Sequence, residues 1–580
     1  MLLRLLESES QQPMWRAGFR GRGACTLVAM KLRDLALFAS LLLASGCGAP
    51  AAEAPPKRPD EKATAACAIL SINDTYRIES LPGGRGGMAR VRTIRKELER
   101  QHPDLVVLHA GDLLFPSLLS RVYKGRQMID AMNRLDGGEG DDGRLFVAFG
   151  NHEFDKEDPA VLSARLAESE FRWLSSNVHF KVDEAGKSAV TLPASKVSPR
   201  TIVPCGRFRI GIFGVTIGAN APYVAAIHDP IEAARVQTAA LRKEGVDAVV
   251  GLTHLPMATD LALLEKLGDE GPDVLLGGHE HNRQKAMVDG RAIYKADADA
   301  ASANVLRIDR TNGGLDILQE WIPLTSPSVP EDPDMKAWVD ATLKKHEVEY
   351  CAKQNPPTGA GCLSEVLATA GEEIVAEELE IRRFETNLGD WVADLALGAF
   401  ADRKKPPQVA FVNSGGLRLN LNLPKGEPIT RRHIEELFAY PAELRLVEIT
   451  GETLQKVAER SIEDWTGQGH FLQIAGFAFE HDPVKKTASK LTLLGKTPRK
   501  IEPKDVLHAV TIDFLVNPKA GNQDGYTMLD PAKVIEGGPD LKLVVLDALS
   551  ALEKAGKPLA PVVEGRICNT ERKMVCRALP

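Results

Sequence analysis

Six short apolar runs occur in the first half of the chain, and each is followed by Gly, Asp, Asn or His. They occupy residues 67–74, 104–112, 145–153, 209–216, 247–254 and 273–281. Continuous apolar runs of this length are typical of strands that are buried on both faces. Segments with helical spacing and charges on one face, such as 88–100, lie between them. The pattern predicts a layered α/β domain over residues 66–325.

A second region follows a proline-rich break at 326–334. Residues 335–353 have the pattern of a single helix, so we assign 326–359 to a linker helix. Residues 360–580 open with a helical pattern at 390–400. Shorter strands are then predicted at 408–416, 444–451, 477–482 and 507–516. This region is predicted as a smaller α/β or α+β domain.

The composition excludes several classes of protein. The chain has 580 residues, of which 44% are hydrophobic and 26% charged. These values are ordinary for a soluble globular protein, and they exclude a disordered, collagen-like or multi-span membrane chain. The net charge of −7 argues against a partner that is a nucleic-acid polymer, since such binders usually carry a basic excess. Composition leaves the oligomeric state open.

The N-terminal segment has the features of an export signal. Lys31 and Arg33 precede an apolar stretch at 35–43, which is too short to span a bilayer comfortably. Residues 30–46 therefore form a predicted signal peptide, and 1–29 are interpreted as a mis-called start.

The signal ends in a sequence, Ala-Ser-Gly-Cys, that resembles a bacterial lipobox. That resemblance implies a lipid on Cys47 and a protein anchored to a bacterial membrane, facing the periplasm or the cell surface. An ordinary secretory signal that contains a cysteine is the alternative. Residues 47–65 are rich in Ala and Pro and are predicted to be a flexible tether.

Six cysteines follow the tether, and an oxidising compartment allows them to form disulfides. Cys351 with Cys362, and Cys568 with Cys576, are candidates on local spacing. Cys67 and Cys205 adjoin apolar runs, and we interpret them as buried free thiols in preference to a third disulfide.

Polar side chains follow five of the predicted strands. Ligands of layered α/β sheets gather beyond the carboxyl ends of strands, and oxygen and imidazole donors in that position can bind divalent metal. The strand ends are Asn73-Asp74, Gly111-Asp112, Gly150-Asn151-His152-Glu153, Thr253-His254 and Gly277-Gly278-His279-Glu280-His281. Each motif alone has an ordinary structural explanation, but the set in this order predicts a metal site.

The ordered motifs resemble the calcineurin-like metallophosphoesterase superfamily. The second region narrows the resemblance to the bacterial and animal 5′-nucleotidase family, over about residues 66–575. The resemblance implies an αββα sandwich domain followed by a smaller α/β nucleotide-binding domain. It also implies two divalent metal ions of Zn, Mn, Co or Fe, a nucleotide substrate, and attack on its phosphate by metal-bound hydroxide.

The resemblance assigns a role to each residue of the first domain. Asp112 would bridge the two metals. Asn151, His254 and His279 would complete one metal site, and Asp74 and His281 would serve the other. His152 would stabilise the transition state or protonate the leaving oxygen, and Asp155 would orient His152.

Tyr76 departs from the family pattern, because an imidazole is expected at that position. A phenol has a pKa of about 10 and is a poor metal ligand unless it is deprotonated. Tyr76 could line the site and leave one metal weakly held, ligate as a phenolate, or mark an inactive site. All three remain open from the sequence.

Residues of the second domain resemble nucleotide-binding segments of the same family. Phe471 and Phe514 would sandwich the base, although each could equally be a core residue. Asn413 and Arg418 would contact the ribose or the phosphate region, and Asp524 would accept hydrogen bonds from ribose hydroxyls.

The function implied is release of phosphate from nucleoside 5′-monophosphates or related nucleotides. One alternative keeps the enzyme class but changes the substrate, to a cyclic nucleotide, a nucleotide sugar or a thiosulfate ester. Another is a catalytically weak, nucleotide-binding lipoprotein.

Overall fold

The structure is a computed structural model. It describes residues 66–577 except 82, 220, 312, 354–360, 464, 466–468, 518–523 and 573–575. The predicted signal peptide, Cys47 and the whole predicted tether lie outside the described residues. Within the described part of the chain, no helix is both long enough and apolar enough to cross a membrane.

The N-terminal region, residues 66–352, contains two main β-sheets and seven α-helices among the residues that are described. Its strands are β1 Cys67–Ile72, β2 Val106–His109, β3 Leu145–Ala148, β4 Arg172–Leu174, β5 Val178–Phe180, β6 Val197–Ser198, β7 Arg200–Cys205, β8 Phe208–Thr216, β9 Val224–Ile227, β10 Ala248–His254, β11 Val274–Gly277, β12 Gln284–Val288, β13 Arg291–Lys295, β14 Ser302–Thr311 and β15 Gly314–Pro323. Its helices are α1 Met88–Gln101, α2 Leu118–Tyr123, α3 Arg126–Met132, α4 Pro159–Glu168, α5 Pro230–Lys243, α6 Met257–Leu267 and α7 Pro333–Ala352.

The two main sheets have parallel centres. One has the strand order β15-β14-β1-β2-β3-β4-β6, and the other β12-β13-β11-β10-β8-β7. Strands β1, β2, β3, β4 and β6 run parallel, as do β8, β10, β11 and β13. Their carboxyl ends therefore lie at one edge of each sheet. A third, small sheet pairs β5 with β9.

Side-chain alternation along β1 shows how the layers form. Cys67 and Ile69 belong to the core between the two sheets, whereas Ala68 and Leu70 pack in the core that includes α1. A further core joins the outer face of the second sheet to α5 and α6. The order helix, sheet, sheet, helix confirms the predicted αββα sandwich.

A disulfide links the two sheets and corrects one prediction. The sequence predicts free thiols at Cys67 and Cys205, but the two residues are bonded, with Cα atoms 4.8 Å apart. Cys67 opens β1 and Cys205 closes β7, and both side chains belong to the inter-sheet core. Facing sheets thus bring together residues that are 138 apart in sequence. The two locally spaced disulfides, Cys351–Cys362 and Cys568–Cys576, are confirmed.

The C-terminal region, residues 361–577, forms its own core around a mixed five-stranded sheet. Its strands are β16 Val366–Thr369, β17 Val409–Asn413, β18 Pro428–Thr430, β19 Glu443–Thr450, β20 Leu472–Ala475, β21 Phe477–Asp482, β22 Thr487–Leu493, β23 Arg499–Lys500, β24 Val506–Ile512, β25 Val534–Asp540 and β26 Ile567–Asn569. Its helices are α8 Glu378–Ile381, α9 Asn387–Gly398, α10 Arg431–Leu437, α11 Gly451–Ile462, α12 Asp513–Val516 and α13 Leu541–Lys554.

Three sheets organise this region. The largest has the order β20-β17-β24-β19-β25, a second has β23-β22-β21-β26, and a two-stranded sheet pairs β16 with β18. Helix α9 begins where the Thr386 side chain accepts a hydrogen bond from the Gly389 N–H, as a helix N-cap does. The mixed α/β character is confirmed, and the domain borders predicted from the sequence stay predictions.

Candidate metal centre and nucleotide cleft

The candidate metal ligands lie at the shared edge where strands of both sheets end. Asp74 and Asp112 follow β1 and β2 of the first sheet, and His281 follows β11 of the second. One ligand atom from each of these three residues lies within 4.8 Å of the other two. A carboxylate from one sheet therefore meets an imidazole from the other, as the strand-end pattern predicts.

His254 joins this group from the end of β10. Its Nε2 lies 3.1 Å from Asp112 Oδ2 and 4.0 Å from Asp74 Oδ1. Its Nδ1 lies 2.8 Å from the Ala110 carbonyl, which fixes Nδ1 as the donor and leaves Nε2 for the site. Asp112 thus occupies the centre of the ligand set.

Unpaired buried atoms test whether this donor set fits a metal. Asn151 Oδ1 is buried and lacks a hydrogen-bond partner among the described residues, and the buried His254 Nε2 lies beside the Asp112 carboxylate. Burial of such atoms without a partner costs about 1–3 kcal/mol. An imidazole nitrogen and an amide oxygen beside two carboxylates are ligand types that divalent transition metals accept. The side chains present are therefore suitable ligands for a divalent transition-metal cation.

His279 completes the histidine set. Its backbone N–H donates to Asp74 Oδ2 at 2.9 Å, and its ring stands edge-on to His254 with centroids 5.3 Å apart. Burial, together with nearby His254, lowers the pKa of His279 to about 3. The imidazole is therefore neutral at physiological pH, which is the form that binds metal.

Backbone conformation is unusual at four of these residues. The φ angles are 50° at Asp74, 58° at Asp112, 90° at His279 and 62° at His281. Left-handed φ is uncommon outside glycine, and strained backbone of this kind clusters at functional sites.

Close packing explains one of the flanking glycines. A Cβ on Gly150 would lie 2.2 Å from Asp112 Oδ1 and 2.5 Å from the Asp112 backbone nitrogen. Only glycine lets the loop after β3 approach the central carboxylate this closely.

Glu153 holds two of these loops together, a role that the sequence did not indicate. Its buried carboxylate accepts hydrogen bonds from the backbone N–H groups of Gly150, Asp112, Leu113 and Leu114. The glutamate lies within the Gly-Asn-His-Glu motif, but its long-range partners follow another strand. It therefore fixes the loop after β2 against the loop after β3.

Lys295 supports the loop between the two histidines of the last motif. Its buried ammonium donates to Glu280 Oε2 and to the Leu255 carbonyl, each at 2.6 Å, and lies 2.8 Å from Asp260 Oδ2. Glu280 also accepts a hydrogen bond from the Met257 N–H. These contacts tie the loop after β11 to the start of α6.

His152 and Asp155 form the pair expected for the catalytic role. His152 Nδ1 lies 3.0 Å from Asp155 Oδ1, and the His152 backbone N–H donates to Asp112 Oδ1 at 2.8 Å. Burial alone would lower the pKa of His152, but the carboxylates of Asp155 and Asp112 raise it above its ordinary value. The imidazole is thus biased towards its proton-carrying form.

Tyr76 lies inside the ligand set. Its hydroxyl oxygen is 2.7 Å from His281 Nε2, 3.1 Å from Asp112 Oδ2 and 3.3 Å from Asp74 Oδ1. Burial and the two carboxylates raise the pKa of the phenol well above its ordinary value. Without a cation, these surroundings favour the protonated phenol.

The C-terminal region contacts the same edge of the sheets. Glu378 Oε2 lies 2.6 Å from His281 Nδ1, and the Tyr440 hydroxyl donates to Asp155 Oδ2 at 3.2 Å. Arg77 donates to Glu436 at 2.7 Å. Glu378 and Tyr440 carry no signal in the sequence alone, because their partners lie far away along the chain.

The predicted substrate residues are partly brought together. Asn413 Nδ2 donates to Asp524 Oδ2 at 2.7 Å, and the Arg418 guanidinium lies 5.6 Å from the centre of the Tyr440 ring. Phe471 is only 1% exposed and is part of the C-terminal core. Phe514 is half-buried against the same core. Phe471 therefore has no open ring face in this arrangement, and base stacking by the two phenylalanines stays a prediction.

The two-sheet sandwich, with carboxylates and histidines at its strand ends, defines a phosphoesterase class. Residues 68–283 match the family described as calcineurin-like phosphoesterase. Residues 366–531 match the family described as 5′-nucleotidase, C-terminal domain. The chain therefore combines a calcineurin-like phosphoesterase domain with a 5′-nucleotidase C-terminal domain, and it is a phosphoesterase hydrolase.

Individual relatives agree with this assignment. A 5′-nucleotidase of Bos taurus is 25% identical in an alignment of 522 positions, which covers 83% of this chain and 85% of the relative. The 5′-nucleotidase precursor of Thermus thermophilus superposes with a TM-score of 0.70 at 24% identity, over 87% of this chain and 100% of the other. The Thermus thermophilus sulfate thiohydrolase SoxB has a TM-score of 0.65 at 16% identity, over 90% and 98%. The likeness to the two solved structures shows a shared fold.

The disulfides bear on the compartment. Three disulfides within the described residues are typical of a protein that has left the reducing cytosol. The protein is therefore an exported one.

Proposed function

We propose that the protein releases inorganic phosphate from nucleoside 5′-monophosphates or related nucleotides. The observation that carries this proposal is the convergence of Asp74, Asp112 and His281 within 4.8 Å, with His254 Nε2 3.1 Å from Asp112. This donor set faces residues of a C-terminal region whose family binds nucleotides. Family membership supports nucleotides over other phosphate esters.

Two divalent cations would be held by these side chains. Asp112 would contact both, Asn151, His254 and His279 would hold one, and Asp74 and His281 the other. Such cations polarise the phosphate and lower the pKa of a water molecule, which supplies the nucleophile. Mixed oxygen and imidazole donors favour Zn, Mn, Co or Fe.

Tyr76 lines the site as a neutral phenol and leaves the second cation weakly held. Its hydroxyl contacts Asp74, Asp112 and His281, which are the three residues of that position. A phenol supplies no charge to a cation, whereas an imidazole would supply a strong lone pair. Two alternatives to this hypothesis are tested below: Tyr76 could bind the cation as a phenolate, or the site could be inactive.

His152 manages the proton at the leaving oxygen. Asp155 accepts from Nδ1 and so keeps Nε2 free to face the substrate. The raised pKa favours the protonated ring, and that proton can pass to the departing nucleoside oxygen or neutralise charge on the phosphate. Asp155 orients the ring and stabilises its charged form.

The C-terminal region recognises the rest of the nucleotide. Arg418 would neutralise phosphate charge, since its guanidinium is a bidentate donor, and Asn413 and Asp524 would bind the ribose. Tyr440 contributes a partly exposed ring beside Arg418 at the same cleft. We place Phe514 next to the base, and we place Phe471 in the core that supports the base-binding segment.

We also propose that the protein is held at a bacterial membrane by a lipid on Cys47 and faces the periplasm or the cell surface. The lipobox-like sequence at 44–47 and the three disulfides support this placement. Mass spectrometry of the mature N-terminus tests it. A diacylglyceryl group on Cys47 is expected, and cleavage beyond Cys47 would contradict the anchor.

The substrate test combines metal loading with a panel of compounds. Metal-free protein is supplied with Mn²⁺, Zn²⁺, Co²⁺ or Fe²⁺ and offered AMP, UDP-glucose, a cyclic nucleotide and a thiosulfate ester. AMP is expected to release phosphate fastest. Asp112→Asn should abolish turnover, whereas Asp104→Asn, whose carboxylate pairs with Arg144 away from the site, should not.

Other results of the panel favour other functions. Preference for the nucleotide sugar, cyclic nucleotide or thiosulfate ester would keep the hydrolase and replace the substrate. If the protein binds nucleotides but shows no turnover with any of the metals, the result would support a catalytically weak nucleotide-binding protein, the alternative that Tyr76 suggests.

A further inference from the structure

Glu378 reaches from the C-terminal region into the metal centre. It is the first residue of α8 and is only 7% exposed. Its Oε2 lies 2.6 Å from His281 Nδ1, and its Oε1 lies 2.6 Å from the guanidinium of Arg382. A buried carboxylate thus binds the ring nitrogen of His281 that faces away from Asp74 and Asp112.

The segment that carries Glu378 is fixed to the C-terminal region. The Asn422 side chain accepts hydrogen bonds from the N–H groups of Ala376 and Glu377, each at 3.0 Å. Gln473, on β20, donates to the carbonyls of Ile381 and Phe384, each at 2.8 Å. Glu378 is therefore held by the C-terminal core, whereas His281 belongs to the loop after β11.

The other nitrogen of the same ring faces the candidate cation position. His281 Nε2 lies 2.7 Å from the Tyr76 hydroxyl and 3.4 Å from Asp74 Oδ1. An imidazole can present either nitrogen to a site, and the hydrogen bond at one decides which is presented. The contact with Glu378 occupies Nδ1 and so directs Nε2 to the carboxylates.

We propose that Glu378 is a positioning residue for His281, so that the C-terminal region sets the affinity of the cation position formed by Asp74, Asp112 and His281. This inference rests on the proposed function, in which His281 binds a metal. A carboxylate that binds the distal nitrogen of a metal-binding histidine orients the ring and raises its basicity, and its loss typically weakens metal binding by about 10–100-fold. Metal binding at that position then depends on a side chain of the C-terminal region.

The test measures the affinity of each cation position in the full chain. Zn²⁺ is titrated against a chromogenic chelator for the wild type, Glu378→Gln and Glu378→Ala. Both variants should bind one of two ions about 10–100-fold more weakly, with the other ion unchanged. Glu378→Gln keeps the size of the side chain but loses the ion pair with Arg382, so thermal unfolding is measured alongside to establish that the variant is folded.

Glu380→Gln is the matched control. Glu380 lies on the same short helix and pairs with exposed Arg572, outside the metal centre. The Glu380→Gln substitution removes one negative charge, as Glu378→Gln does, and both ions should bind with wild-type affinity. An equal loss in Glu380→Gln would assign the effect to the helix and overturn the role of Glu378.

A double-mutant cycle separates positioning from a general effect on charge. In a His281→Ala background, Glu378→Gln should weaken neither ion further, since it acts only through that ring. A further loss would overturn the inference, as would wild-type affinities in both Glu378 variants. A wild-type chain that binds no divalent ion would instead overturn the proposed function, and the inference with it.

Discussion

The Tyr440 hydroxyl donates a hydrogen bond to Asp155 Oδ2 at 3.2 Å, across 285 residues of sequence. Asp155 in turn holds Nδ1 of His152. A residue of the C-terminal region therefore touches the pair of side chains that we assign to proton transfer. The same face of that region binds His281 through Glu378.

Tyr440→Phe should slow the reaction modestly. The variant keeps the ring and removes one donor to Asp155, a contact worth about 0.5–1.5 kcal/mol, so kcat should fall roughly 2- to 10-fold. The kcat–pH profile should also shift, since the carboxylate that orients His152 loses a partner. Steady-state kinetics with AMP between pH of about 5 and 9 checks both expectations.

Tyr123→Phe is the control for this variant. Tyr123 also donates to a carboxylate, that of Glu349, but it lies on α2 away from the site. Unchanged kinetics are expected there. An unchanged pH profile in Tyr440→Phe would show that the contact with Asp155 has no part in the reaction.

Tyr76→His should increase the metal content of the purified protein. The new imidazole would place a nitrogen donor between Asp74, Asp112 and His281, where a neutral phenol now lies. Elemental analysis after dialysis should move from one tightly held ion per chain towards two, with faster turnover. Lost metal and lost turnover would instead identify Tyr76 as a ligand of the native site.

Loss of the inter-sheet disulfide should destabilise the protein more than loss of a local one. Cys67 and Cys205 are 138 residues apart and Cys351 and Cys362 are 11 apart, and longer closed loops restrict the unfolded chain more. The Cys67→Ala/Cys205→Ala variant should lose about 2–5 kcal/mol of unfolding free energy.

Guanidinium chloride unfolding of that variant and of Cys351→Ala/Cys362→Ala, under non-reducing conditions, makes the comparison. Activity at low denaturant should persist in both, because neither bond contacts the metal centre. A smaller loss for the inter-sheet pair than for the local pair would contradict the expectation.

Asp390 should make the protein less stable as the pH rises. Burial and the adjacent Glu385 carboxyl raise the pKa of Asp390 above its ordinary value of 3.8, and one N–H, that of Glu564, donates to both carboxyls. The folded state therefore keeps a proton that the unfolded chain releases above pH of about 4, and stability falls as pH rises through the neutral range.

Asp390→Asn tests this relationship because the amide resembles the protonated acid and cannot titrate. Urea unfolding at several pH values above about 5 should show a flatter pH dependence for the variant than for the wild type. Asp394→Asn, on the same helix but half-exposed, should keep the wild-type slope. A wild-type slope in Asp390→Asn would show that Asp390 is ionised in the folded protein.

Much of the N-terminal two-sheet sandwich can be predicted from the sequence, because each strand and the polar residues after it are close together along the chain. Each apolar run is a strand, and the polar residue directly after it lies at the edge of the sheet, as with Asp74 and β1 or Asp112 and β2. Parallel strands place such ends at one edge of each sheet, so the convergence of Asp74, Asp112 and His281 is predictable from the sequence pattern.

Contacts between regions could not be predicted in the same way. Glu378 is 97 residues from His281, and nothing in the sequence around it marks a partner. The prediction of free thiols at Cys67 and Cys205 is wrong for the same reason, since only the facing of two sheets brings them together. The contact of Tyr440 with Asp155 could be predicted only from the way the C-terminal region packs against the N-terminal region.

The bond between Cys67 and Cys205 also determines how the protein would respond to mechanical load. Cys67 is the first residue of β1, which pairs with β2 on one side and β14 on the other. Tension entering from the preceding residues would meet a covalent link to the opposite sheet at the first residue of the strand. Such a fold resists being peeled open from its amino end for as long as that crosslink stays oxidised.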